Sequence, residues 1–488
     1  MASPSLSRPL VLASVMAASF MIAIEATIVS TAMPQIVGRL GNLDLYAWVF
    51  SSFLLAQTAT TVVFGKLADV YGRKSILLAG IAIFLAGSVL CGIAWSMPSL
   101  IAFRLIQGIG AGAIQPVAVT VIGDLYAAHE RGRVQGYLAS VWGVSSVIGP
   151  LAGGLIISHV SWAWIFWINV PVGIVAAAGF HFFLRESGAS EQRGVDVAGA
   201  LLFTVAIAAL MLALTEAGTN RAISLASAAV CLVGGALFVW QERRARDPMV
   251  AFALWARRPI ATTNAATLLS GMTIIGLTTF LPMYVQVVLG YSALVAGFTL
   301  TATVLGWPIG ATLAARNFAR FGLRPTLVFG GVLLPVGALA FVMLAPGGSP
   351  WQAGAGSLVL GFGMGFLSTA AIVIIQDSVG WAERGAATAS NLFARNLGST
   401  LGATVLGAAL NVSLARGGAV SVEQVRHLLD RGAGAVGDGA ARAALGQSLH
   451  VTFCGVLLIA IGTMLAAFLV PAIDLHQGLR DREQPHPA

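Results

Sequence analysis

Residues 65–74 read GKLADVYGRK, a stretch in which Lys66, Asp69, Arg73 and Lys74 stand between two long apolar runs. Hydrocarbon does not tolerate three cations and an anion so close together, so the segment is expected at a membrane surface. Gly65 and Gly72 are expected to let two helices reverse there, because glycine reaches backbone conformations closed to other residues. Everything flanking the stretch agrees with a lipid environment. Hydrophobic residues make up 57% of the 488-residue chain and charged residues 9%, against about 25% charged in a soluble domain. The net charge of +8 comes from cations scattered singly and in pairs, which points to orientation in a membrane and not to a nucleic-acid partner.

Runs long enough to cross ~30 Å of hydrocarbon, ~20 residues each, begin near residues 10, 46, 75, 98, 136, 162, 195, 222, 259, 291, 326, 351, 387 and 450. These are fourteen candidate spans. With the N-terminus in the cytoplasm, the even-numbered turns and both termini hold most of the arginines and lysines, as the positive-inside rule requires. The main exceptions, Arg416, Arg426, Arg431 and Arg442, share one long outer loop, 414–445. Long loops translocate regardless of charge, and SVEQVRHLLDRG within this one is amphipathic, as expected of a helix lying on the membrane. Glu25 argues against reading the first run as a cleaved leader.

The chain repeats itself. Asp124, Glu130, Arg131 and Gly132 recur 253 positions later as Asp377, Glu383, Arg384 and Gly385, and Gly108, Gly110 and Gly112 recur as Gly361, Gly363 and Gly365. Gly322, in RFGLRP, stands 250 after Gly72, but Ala319 takes the place of Asp69. Two six-helix bundles, 1–190 and 246–488, then account for twelve spans, and residues 191–245 are a linker carrying two inserted helices.

Several stretches resemble one family. Gly-x-Leu-Ala-Asp-x-x-Gly-Arg-Lys at 65–74 is similar to a cytoplasmic loop signature of the major facilitator superfamily of transporters. RLIQGIGAG (104–112), GVSSVIGPLAGG (143–154), IEATIVSTAMPQI (24–36) and WAWIFWINVPVG (162–173) resemble signatures of its fourteen-helix drug:proton antiporter branch, which serves multidrug efflux. The resemblance implies an all-α membrane protein with the major facilitator fold, located in a bacterial-type inner membrane with both termini cytoplasmic. It implies export of lipophilic or amphipathic drugs in exchange for protons, with drug resistance as the outcome. Monovalent cations, zwitterions and neutral compounds are the expected substrates.

Each motif has its own physical reading. A charged carboxylate at Glu25, midway along the first span, costs at least ~2.5 kcal/mol, so its proton is the one a transporter could exchange for substrate. The family usually has aspartate there. Arg104 keeps its charge at any pH and is expected to bias the protonation of Glu25; Arg395, in FARNLGSTLG, is its counterpart in the second half. Purely structural roles remain open for all three. Gly143, Gly149, Pro150, Gly153 and Gly154 suit close helix packing and a proline kink. Gly65, Asp69, Gly72, Arg73 and Lys74 are expected to form a cytoplasmic latch with Asp124 and Arg131, Asp69 accepting from a helix N-terminus or an arginine of the other repeat. Candidate substrate-lining residues are Met21, Trp48, Gln57, Trp142, Asn264, Met272, Phe280, Tyr284, Gln286, Asn391 and Phe393, since aromatic rings and methionines suit varied apolar compounds.

No cofactor is expected. Cys91, Cys231 and Cys454 lie in apolar runs without metal-ligand spacing, no GxxxxGK[ST] loop calls for ATP, and the seven histidines sit at ends, loops or tails, unlike an enzyme's cluster. The expected partners are protons, membrane lipids and an amphipathic small molecule. A dedicated exporter of an endogenous lipid or siderophore-like molecule is the alternative, and a passive pore a further one.

Overall fold

The computed structural model describes residues 4–40, 45–185, 196–216, 220–245, 252–291, 293–345, 347–416 and 439–472. Most of the outer loop at 414–445, including SVEQVRHLLDRG, lies outside them, as do the charged segments at 186–195 and 246–251. Every regular element among the described residues is a helix. In chain order the elements are α1 (Pro4–Leu40), α2 (Tyr46–Tyr71), α3 (Arg73–Gly92), α4 (Met97–Leu125), α5 (Ala128–His159), α6 (Trp164–Trp167), α7 (Asn169–Phe183), α8 (Val197–Glu216) and α9 (Arg221–Glu242). They continue as α10 (Phe252–Trp255), α11 (Arg258–Met283), α12 (Ala293–Phe321), α13 (Leu323–Val342), α14 (Pro350–Asp377), α15 (Arg384–Arg416) and α16 (Gly439–Leu469).

Thirteen helical stretches among the described residues are long and apolar enough to span a membrane, α6 and α7 acting as one. The remaining predicted span, the fifth, is α5, a continuous helix of 32 residues made less apolar by its glycines and serines. Large apolar side chains such as Leu232, Phe182 and Leu458 are more than two-thirds exposed. Lipid accepts such a surface and water does not.

The charged stretch at 65–74 is tighter than its sequence suggests. α2 runs on through Asp69 to Tyr71, and α3 starts at Arg73, so the reversal is made by Gly72 alone, at φ 91°. Gly322 makes the same turn between α12 and α13 at φ 84°. Gly65, read from sequence as part of the turn, is inside α2, where a Cβ would collide with Ala389 and the Gly385 carbonyl. It serves helix contact instead. α4 begins with a reciprocal cap: Ser96 Oγ accepts from Ser99 N, and Ser99 Oγ accepts from Ser96 N at 3.0 Å.

The chain divides into two compact units, Met1–Ala256 with Val379–Phe393, and Arg257–Ser378 with Ala394–Ala488. In the first, α4 packs on α2 and α3, and α7 on α1 and α3; in the second, α14 packs on α12 and α13, and α16 on α11 and α13. The repeated glycines create both arrangements. Side chains added at Gly108 and Gly112 would strike α2 backbone or Thr60, and at Gly110 they would strike α3. Gly361 and Gly365 are blocked in the same way by α12, and Gly363 by α13. The inserted α8 and α9 pair with each other, and α8 packs on α2. Glu216, the last residue of α8, is buried.

Candidate functional site

Two polar constellations stand out in the first unit. One surrounds Glu25, which has no solvent exposure. Its Oε1 pairs with Arg104 Nη1 and its Oε2 accepts from Asn169 Nδ2. Arg104 spends its other donors on Gln107 Oε1 (2.7 Å) and the Val49 carbonyl (3.0 Å), with the guanidinium 4.4 Å from the centre of the Phe53 ring. Gln107 Nε2 in turn donates to Ser88 Oγ at 2.8 Å. Five helices, α1 to α4 and α7, thus meet at one buried ion pair. A buried pair is held only when its remaining donors and acceptors are satisfied, and Gln107, Asn169 and the Val49 carbonyl do that here. Gln107 and Asn169 stand inside two of the quoted motifs, yet their letters carry no charge to single them out.

The second constellation joins the end of α2 to the start of α15, whose residues up to Phe393 belong to the same unit. Asp69 Oδ1 and Oδ2 accept from the backbone of Gly385 (3.0 Å) and Ala386 (2.8 Å), free donors at a helix N-terminus. Arg73 pairs with Asp69 at 3.1 Å and with Asp124 at 2.9 Å. It also donates to the Trp381 carbonyl at 2.9 Å and stacks 3.8 Å from that ring. Arg384 reaches Asp124 Oδ1 and the Gly123 carbonyl. Trp381 was invisible from sequence, being 308 positions from Arg73. Lys74 turns away, its Nζ donating to the His181 carbonyl at 2.7 Å. Arg131 is buried, its Nε donating to the Tyr126 carbonyl.

In α5, Gly149 lets α1 approach: a Cβ there would collide with Thr27, whose hydroxyl also donates to the Ser145 carbonyl at 3.2 Å. Gly402 of α15, 253 residues on, is pressed likewise against Met272 of α11. Gly153 is buried and Gly143 half-buried; Pro150 and Gly154 also lie within α5.

The expected lining residues scatter. Met21, Phe280 and Tyr284 are buried in the apolar cores of their units, with Tyr284 Oη donating to the Leu344 carbonyl, so they do not line a surface here. Phe393 packs against Phe203 of the insert and Trp255, with centroids 5.9 and 6.0 Å away. Gln57 is buried and donates to Gln115 at 2.9 Å; Asn391 is buried as well. Trp48, Asn264, Met272 and Gln286 are half-buried, and Trp142 is exposed. Arg395 is half-buried in α15.

The sequence model of the family described as Major Facilitator Superfamily matches residues 15–403. The chain belongs to the major facilitator superfamily. It is therefore a multi-pass membrane protein of a transporter family and not an enzyme. It is 34% identical over 430 residues to Multidrug transporter protein MdtP of Bacillus subtilis (strain 168), covering 87% of this chain and 78% of that relative. It is 37% identical over 391 residues to Multidrug resistance protein 3 of the same organism, covering 79% and 76%. Among solved structures, the human organic anion transporter MFSD10 (TETRAN) superposes with a TM-score of 0.66 at 15% identity, covering 96% of this chain and 100% of that one. At that identity the likeness speaks for the major facilitator fold alone.

Proposed function

We propose that this superfamily member exports amphipathic drugs across a bacterial-type inner membrane, by alternating access, in exchange for protons. The observation that carries the reading is the Glu25–Arg104 pair, a carboxylate and a guanidinium sealed together inside a membrane bundle. Protonating Glu25 cancels one charge of the pair, weakens its hold on Arg104, and leaves Arg104 to its neutral partners Gln107 and Val49. Because the pair joins α1 to α4, proton occupancy becomes a force on helix packing. A proton moving down its gradient supplies ~2.3 kcal/mol per 100 mV. The Asp69, Arg73, Asp124 and Arg384 cluster would act as the cytoplasmic latch, holding or releasing residues 379–393 as the transporter cycles.

Export of drugs is supported by the names of the two Bacillus subtilis relatives. Cytoplasmic termini are supported by the arginines and lysines concentrated in the even-numbered turns. The test is substrate-driven proton movement in proteoliposomes holding a pH gradient, comparing the unaltered protein with Glu25→Gln. Several drugs should dissipate the gradient in the unaltered protein and none in the variant. Equal coupling in both would move the proton site away from Glu25.

A further inference from the structure

Arg395 is the charge that the two polar constellations leave over. It lies eleven residues into α15, about 16 Å along the helix at 1.5 Å per residue, and inside the apolar span Trp381–Leu414. Arginine stays charged in any protein environment, so a role as proton carrier is closed to it. An intramembrane guanidinium must meet water, backbone oxygens or a negative group. Among the described residues the Arg395 side chain makes no ion pair and no hydrogen bond; only its backbone carbonyl is used, accepting from Ser399 at 3.2 Å. The stretch of α11 packed alongside, at Leu268, Gly271 and Met272, carries no charge to satisfy it. Yet the residue is only half-buried, so part of it can be reached from outside its unit.

Glu25 is its opposite in every respect. It is wholly enclosed and both oxygens are engaged, so a cationic ligand finds no open carboxylate there. Two further acids of the first unit, Asp69 and Asp124, are held by Arg73 and Arg384. Among the described residues, the mid-span charge left open to a ligand is therefore positive.

We infer that Arg395 receives a carboxylate or similarly anionic group of the transported molecule, so that amphipathic organic anions are preferred over the monovalent cations, zwitterions and neutral compounds expected from sequence. The inference rests on the export reading above and names its substrate class. Geometry favours a carboxylate, since the planar guanidinium offers paired donors that match its two oxygens.

The test uses the full-length protein in nanodiscs of zwitterionic lipid, with empty nanodiscs subtracted, and three probes on one scaffold: 11-(dansylamino)undecanoic acid, its primary amide, and the corresponding terminal amine. Fluorescence titration should give a Kd for the acid at least about tenfold below that of the amide, the range expected of a hydrogen bond to a charged group, with the amine weakest. Arg395→Gln should erase the acid's advantage while leaving the amide within about twofold, and Arg395→Lys should restore part of it. Tighter binding of the amine than of the acid, equal affinities for acid and amide in the unaltered protein, or a uniform loss for all three probes in Arg395→Gln would each overturn the inference. The comparison within the unaltered protein stands even if a variant does not fold. Because no gradient or transport enters, the result is independent of the proteoliposome test on Glu25, and either reading can fail alone.

Discussion

Replacing Asp69 by asparagine should loosen the start of α15 by a predictable amount. Gly385 and Ala386 are among the first residues of that helix, and their N–H groups have no intrahelical acceptor. Each donates to one oxygen of a carboxylate that is only 5% exposed. A hydrogen bond to a charged group contributes ~1.5–3 kcal/mol. Asparagine keeps one acceptor oxygen, presents an NH2 to the other donor, and removes the charge from both bonds. The loss should be about 2–3 kcal/mol, or roughly 30- to 150-fold in the local opening equilibrium. Arg73 is not set loose by the change, since it still has Asp124 at 2.9 Å and the Trp381 carbonyl and ring. Hydrogen exchange of the Gly385 and Ala386 amides reads that equilibrium directly. Both should exchange faster by that factor, while amides in the middle of α14 keep their rates. Unchanged exchange at 385 and 386 would refute the claim that Asp69 holds this helix end.

The same physics gives two further outcomes. Removing either member of the Glu25–Arg104 pair strands a buried charge, so Glu25→Gln and Arg104→Gln should each destabilise the protein by ~3–5 kcal/mol, measured by denaturation in mixed micelles; the double variant should lose markedly less than the sum, and strict additivity would mean that the pair is not coupled. Trp381→Ala removes the ring beneath Arg73, a contribution of ~0.5–2 kcal/mol, and should speed exchange at Gly385 and Ala386 by about 2- to 30-fold; Trp381→Phe should retain most of the protection, and if alanine and phenylalanine behave alike the stacking is not what holds the segment.

Charge was the most legible feature of this sequence because lipid makes it rare. Glu25 and Arg104 stood out separately, 79 positions apart, and the structure brings them into one ion pair. Repetition was equally plain: a glycine pattern displaced by 253 residues marks the same helix contacts in both units, since backbones that approach closely leave no room for a Cβ at those points. Neutral partners were hidden. Asn169 and Gln107 complete the Glu25 site, but an amide in a span acquires its meaning only from what packs against it, and nothing local announces that.

The expected lining residues scatter for a related reason. In a soluble helix the apolar stripe points to the core, but in a membrane the lipid-facing and core-facing sides are both apolar, so no periodicity tells Tyr284, which is enclosed, from Trp142, which is exposed. Gly65 carries the same ambiguity in a single residue. A glycine beside charges at a helix end reads as a turn, because in water that is its commonest use. Within lipid, close helix approach makes an equal claim on glycine, and only the backbone decides between them: Gly72 has φ of 91° and turns the chain, while Gly65, seven residues earlier, stays helical and admits Gly385 and Ala389. The two glycines that frame the opening motif therefore do different work. The first makes room for the segment that the second's neighbour, Arg73, then grips through Trp381, so the motif's spacing is set by a helix it must hold and not by a loop.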